Sequence, residues 1–185
     1  MLGKAEDSLQ VFAKVEKWTR KHYTFDLFAK RKSKEYLEKK KLTEIDKKLI
    51  IAYLEVKGHR FYDAEKTLKQ LEEMLTPAGE KKFTKNFVND KCNHLVTADN
   101  VAYYNFVLGR NQRYLCQEEK AKEAFTHVFE LEPLIKEEIF VVPHSLVEYA
   151  ELLLEDGEWK EAKKMLHKAK NNYSKYDFDK PLTRR

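Results

Sequence analysis

Cys92 and His94 are the pair in this chain whose types and spacing come nearest to catalytic chemistry. A thiol beside an imidazole can become a thiolate nucleophile. That chemistry also needs partners in space and a shaped pocket, and no other motif supplies them, so the pair reads as structural or surface. Cys116 lies 24 positions on and no Cys-x-x-Cys occurs, which excludes a zinc ribbon and a thioredoxin-like motif. The six histidines, His22, His59, His94, His127, His144 and His167, are scattered. No two share three- or four-residue spacing, so no helical metal site is read. Gly-rich phosphate loops, His-Glu-x-x-His and Gly-x-Ser-x-Gly are absent. Acids that precede Lys at helical spacing, such as Glu118 and Lys122, read as solvated faces. The chain is therefore expected to be no enzyme, with no catalytic residue, metal, cofactor or small-molecule substrate.

Charge offers a second kind of chemistry. From Lys30 to Lys48 there are nine Lys or Arg against Glu35, Glu38, Glu44 and Asp46, a surplus equal to the net +5 of the whole chain. Such a stretch could meet RNA or an anionic membrane. Interleaved acids and an amphipathic helix favour a solvated face instead. Binding of nucleic acid or an anionic membrane surface through residues 30–48 stands as the alternative function.

Composition constrains the elements that would position these groups. The 185 residues are 42% hydrophobic and 36% charged, with five Gly and four Pro. Few breakers and many Ala, Leu, Glu and Lys favour an all-α protein, and 23 aromatics favour a packed one. The cysteine usage fits a reducing compartment. Residues Met1 to Asp7 carry no apolar leader, and no apolar run reaches the roughly 20 residues of a membrane span. A cytoplasmic location is expected, with the sequon Asn172-Tyr173-Ser174 unused.

Helical spacing then divides the chain. Ser8 starts a helix with Leu9, Phe12, Val15 and Trp18. Thr24 caps a second and Thr43 a third, which Gly58 ends by adopting the left-handed conformation. A fourth runs from Phe61 to Leu75. Residues 80–97 are the least readable, with a short helix expected around 82–93. Asp99 caps the next helix, a further one covers Glu118 to Leu131, and Pro143 sits in the first turn of another. The last runs from Glu158 to about Tyr173.

Two of these hairpins share one skeleton. Leu108-Gly109 is followed by Ala121, Phe125 and Pro133, and Tyr149-Ala150 by Gly157, Ala162, Leu166 and Ala169. Gly109 to Ala121 is twelve residues, as is Ala150 to Ala162. Small residues at both places let two antiparallel helices approach. This is the skeleton of the tetratricopeptide repeat. The 41-residue period is longer than its usual ~34, and Leu134–Val142 supplies the insertion. Gly58, Ala64, Leu68, Leu71 and Pro77 fit a third copy with one extra residue in the turn. The expected fold is an all-α antiparallel helix-hairpin stack, a tetratricopeptide-repeat-like right-handed superhelix. Residues 1–185 are read as one domain: a helix pair over 5–41, a degenerate repeat over 43–76, repeats over 99–133 and 143–174, and a tail over 175–185.

The run from Val141-Val142-Pro143-His144-Ser145-Leu146-Val147-Glu148-Tyr149-Ala150-Glu151-Leu152 through Gly157-Glu158-Trp159-Lys160-Glu161-Ala162 to Ala169-Lys170-Asn171-Asn172-Tyr173-Ser174-Lys175-Tyr176 resembles the C-terminal part of the tetratricopeptide repeat protein 39 family. That group includes the inclusion-body clearance protein. Phe28-Ala29-Lys30-Arg31-Lys32 is similar to another family stretch. The resemblance implies a non-enzymatic adaptor linked to lipid handling or protein-aggregate clearance. Family members are longer, and Asp177-Phe178-Asp179-Lys180-Pro181 interrupts their basic continuation, so a fragment, a short relative or an incomplete product is expected.

In such stacks the first helix of each hairpin lines the concave side. The expected protein-binding face is Tyr103, Phe106, Arg110, Arg113 and Tyr114 from one hairpin, with His144, Val147, Glu151 and Leu154 from the next. Aromatics and arginines are enriched at binding hot spots. The co-chaperone branch of this repeat class holds a peptide carboxylate with lysine and asparagine on this face. Phe106, Arg110, Val147 and Glu151 stand in the equivalent places here, so a segment with apolar and acidic residues is the expected partner, not an acidic chaperone tail. Packing of several of these side chains against the inserted segment is the competing reading. Leu9, Phe12 and Trp18 are expected to leave an apolar face on the first hairpin. Peripheral membrane or lipid-droplet association and self-association remain open partners.

Overall fold

The computed structural model describes residues 5–19, 24–39, 43–76 and 96–173. Eight α-helices and one 3-10 turn occupy them, and no strand occurs among the described residues. The chain is all-α, with sequential helices packed as adjacent pairs. Cys92, His94 and the expected helix over 82–93 lie outside the described residues.

The described residues divide into two compact units, one within residues 5–39 and one within residues 43–173. In the first unit α1 (Ala5–Trp18) pairs with α2 (Thr24–Lys39). Phe12 packs on Tyr36 with ring centroids 4.3 Å apart. Leu9 and Phe12 are half-buried, whereas Val11 and Trp18 are exposed. The helix starts before Ser8, which lies inside it.

The second unit is three consecutive hairpins: α3 (Glu44–Lys57) with α4 (Phe61–Leu75), α5 (Ala98–Tyr114) with α6 (Glu118–Leu131), and α7 (Val141–Glu155) with α8 (Trp159–Asn171). A 3-10 turn, Glu132–Leu134, follows α6. Each first helix after α3 packs on both helices of the hairpin before it: α5 on α3 and α4, α7 on α5 and α6. One hairpin leaves a face unburied, so the next must cover it.

Thr43 starts α3 with a capping box: its hydroxyl accepts the Asp46 N–H and its own N–H donates to the Asp46 carboxylate. The same box starts α5, but from Thr97 with Asn100, not from Asp99. The reciprocal bond needs a side chain three residues on. Thr97 has Asn100 there, whereas Asp99 has Ala102. Asn100 Nδ2 also donates to Asp46 Oδ1 at 3.0 Å, joining the two caps.

All three hairpins close through the same turn. Three residues separate the helices each time, and the middle one has positive φ: His59 at 59°, Cys116 at 57°, Gly157 at 80°. The next N–H reaches back to the carbonyl five residues earlier, Arg60 to Glu55, Gln117 to Gln112 and Glu158 to Leu153, each at 2.8 Å. This is a Schellman closure. Gly58 has φ −86°, so the left-handed residue is His59 and not the glycine. The turn of the first hairpin has no extra residue either. Its small anchor is Ala52, twelve positions before Ala64, just as Gly109 precedes Ala121 and Ala150 precedes Ala162. All six anchors are buried.

Anchor size matches what lies over it. A Cβ built on Gly109 would stand 2.6 Å from the Phe125 ring. The other hairpins combine an alanine anchor with a leucine at the Phe125 position, Ala52 with Leu68 and Ala150 with Leu166.

Candidate binding surfaces of the hairpin stack

The first helices α5 and α7 hold the residues expected on the concave face, and packing fills most of it. Phe140, from the inserted segment, sets its ring edge-on to Tyr103 at 5.5 Å and to Phe106 at 5.9 Å. Tyr103 and Phe106 are buried, as is Val147, so they do not face solvent. Tyr103 also meets Tyr53 of α3, 6.0 Å away. His144 is half-buried beside Phe106 and Phe140. Asp99 fixes the insertion, because its Oδ1 accepts the N–H groups of Lys136, Glu137 and Glu138 at 3.1, 2.8 and 2.8 Å. A carboxylate that takes three successive N–H groups satisfies a backbone that has no helix to do so.

Charge locks the rest. Arg113 Nη1 donates to Glu148 Oε2 at 2.7 Å and to Glu151 Oε2 at 2.5 Å, and Nη2 to Glu155 Oε1 at 3.1 Å. Arg110 Nε lies 3.3 Å from Glu148 Oε1. Burial alone would lower the Arg113 pKa, but its hydrogen bonds to Glu151 and Glu148 hold it above its ordinary value. Two arginines of α5 thus bind three acids of α7 and are committed inside the stack. Leu154 packs against the Ala150, Leu153 and Ala162 cluster. Of the nine expected residues Tyr114 is the most exposed. It stacks on Phe61 at 4.7 Å and lies 6.0 Å from the Arg110 guanidinium.

Five cations of the basic stretch have acidic partners. Lys30 pairs with Glu16, Arg31 and Lys32 with Glu35, Lys34 with Glu38 and Lys47 with Glu44, while Lys48 donates to Gln70. Among the described residues no group of three or more His, Cys, Asp or Glu could hold a metal. No helix among them is long and apolar enough to cross a membrane.

Two further surfaces lie outside the expected face. The first is a cleft of about 180 Å³ over α5 between α4 and α6, lined by Glu72, Tyr104, Gln112, Lys120 and His127 among others. Gln112 is buried there, and its Oε1 has no hydrogen-bond partner among the described residues. Burial, and then the Glu72 carboxylate, push the Tyr104 hydroxyl well above its usual pKa.

The second is the outer side of α8. Trp159 is 68% exposed and Leu166 39% exposed. At the Leu166 position the earlier hairpins have Leu68 at 1% and Phe125 at 0%. The side chain is of the same kind, and no described helix packs over it as the next first helix does in the earlier hairpins. The signal was in the sequence: with Ala52 as the first anchor, Phe61, Glu118 and Trp159 occupy one column, as do Leu68, Phe125 and Leu166.

No family model and no solved structure matches the chain.

Proposed function

We propose that this chain is a non-enzymatic, protein-binding scaffold of the tetratricopeptide type. The observation that carries the reading is the exposed row on α8. In the two preceding hairpins the equivalent position is buried by the next first helix. Among the described residues no helix covers this face of α8, and such a face suits another protein, because stacked repeats need a polar cap or a partner on it. The resemblance of residues 141–176 to the tetratricopeptide repeat protein 39 family supports reading such a scaffold as an adaptor linked to lipid handling or protein-aggregate clearance. The alternative, nucleic acid or an anionic membrane on residues 30–48, is weakened by the acids that already pair with that stretch.

A photo-reactive benzoylphenylalanine at Lys160, exposed beside Trp159, tests this in the full chain in cells. Protease-sensitive, nuclease-resistant adducts are expected there, and not from the same group at exposed Lys69. Adducts confined to nucleic acid or lipid would overturn the reading.

A further inference from the structure

We infer that the outer row of α8 is a docking site for one acidic amphipathic helix of a partner protein. The inference rests on the scaffold reading and adds the chemistry of the partner. Trp159, Lys163, Leu166 and Lys170 recur every three or four residues, so they form one stripe along the helix. All four are exposed.

The molecule itself shows what each position contacts when covered. Phe61, the counterpart of Trp159, stacks on Tyr114 near the end of the next first helix. Lys122, the counterpart of Lys163, donates to Asp156 just past the end of α7 at 2.6 Å. Phe129, the counterpart of Lys170, meets Tyr149 edge-on at 5.6 Å. The row on α8 therefore specifies its complement. An aromatic near the C-terminal end of the partner helix faces Trp159, an acid immediately past that end takes Lys163, and an apolar stripe covers Leu166. Lys170 replaces an aromatic, so it calls for a second acid further back. Lys160 flanks the row and adds positive potential, whereas Lys164 pairs with Glu161 at 2.8 Å.

A second copy of this chain does not match. The leading first helix of its residues 43–173, α3, carries Lys57 and Gly58 where α5 has Tyr114 and α7 has Asp156, and α1 ends on Trp18 with Thr19 and Arg20 after it, not an acid. No acid would reach Lys163, and another like charge would be added. Charge complementarity selects a different, acidic helix.

The test uses the full chain with Trp18→Phe, which leaves Trp159 as its single indole. The probe is a synthetic peptide of residues 141–157 carrying Glu155→Tyr, which joins the aromatic and the acid in the required order. A saturable blue shift of Trp159 emission is expected. Lys163→Glu and Leu166→Ser should each weaken binding about tenfold or more. A control peptide with Glu148, Glu151 and Asp156 changed to Lys should not bind. The inference is overturned if neither peptide binds, if both bind alike, if Lys163→Glu has no effect, or if the emission shifts with protein concentration alone. Protease-sensitive adducts at position 160 would leave the scaffold reading standing in each case, so the two failures are separable.

Discussion

Gly109→Ala destabilises the chain, although alanine is the better helix former by about 1 kcal/mol. The new Cβ would meet the Phe125 ring at 2.6–2.8 Å. Phe125 is fully buried, so its ring has no space to retreat into. Overpacking of this kind costs about 1–3 kcal/mol. The partner substitution identifies the cause. Gly109→Ala with Phe125→Leu recreates the alanine–leucine combination of the other two hairpins, and should recover most of the loss. Urea unfolding of the two single variants and the double variant should give a coupling of about 1–2 kcal/mol. Additive effects would mean that Gly109 is required for some reason other than the ring above it.

Glu148→Ala is the second large effect. The carboxylate is buried between Arg110 and Arg113, whose side chains are 16% and 21% exposed. Removing one member of a buried ion pair leaves a charge with poor solvation, at about 3–5 kcal/mol. Arg113 keeps Glu151 and Glu155, so about 3 kcal/mol is expected, or roughly 10 °C in Tm for a chain of this size. Glu155→Ala removes an exposed partner of the same arginine and should cost under about 1 kcal/mol. Thermal unfolding of the two variants checks the contrast. Equal losses would place the network's contribution at the surface and not in the buried α5–α7 contact.

Local rules recovered the helices and missed what depends on distant residues. Thr43 and Asp46 stand at capping-box spacing, and α3 starts there. Asp99 has the right type for a cap, yet its carboxylate serves the inserted segment 37–39 residues away. Gly58 drew the left-handed assignment because glycine adopts it most easily. The frame of the turn is set by helix packing, which puts His59 in that place instead. The expected face names side chains of α5 and α7 of which Tyr103, Phe106 and Val147 pack inward. Spacing alone could not tell that Phe140 covers Tyr103 and Phe106. The ion-pair network was more legible. Arg110 and Arg113 on one first helix, with Glu148, Glu151 and Glu155 on the next, are opposite charges at helical spacing on helices that a stack must bring together. Leu68, Phe125 and Leu166 hold one place in the sequence skeleton, but their unequal exposure depends on which helix packs over each, which spacing does not carry.

Three hairpins repeat one interface, and among the described residues no helix covers the third. Leucine and phenylalanine truncations in one column test this most directly, measured by urea unfolding of the full chain. Leu68→Ala and Phe125→Ala should each cost about 2–5 kcal/mol, as buried side chains do. Leu166→Ala, at the same place in the third hairpin but 39% exposed, should cost under about 1 kcal/mol. Equal losses at all three positions would contradict the account, because Leu166 would then be covered as fully as its counterparts.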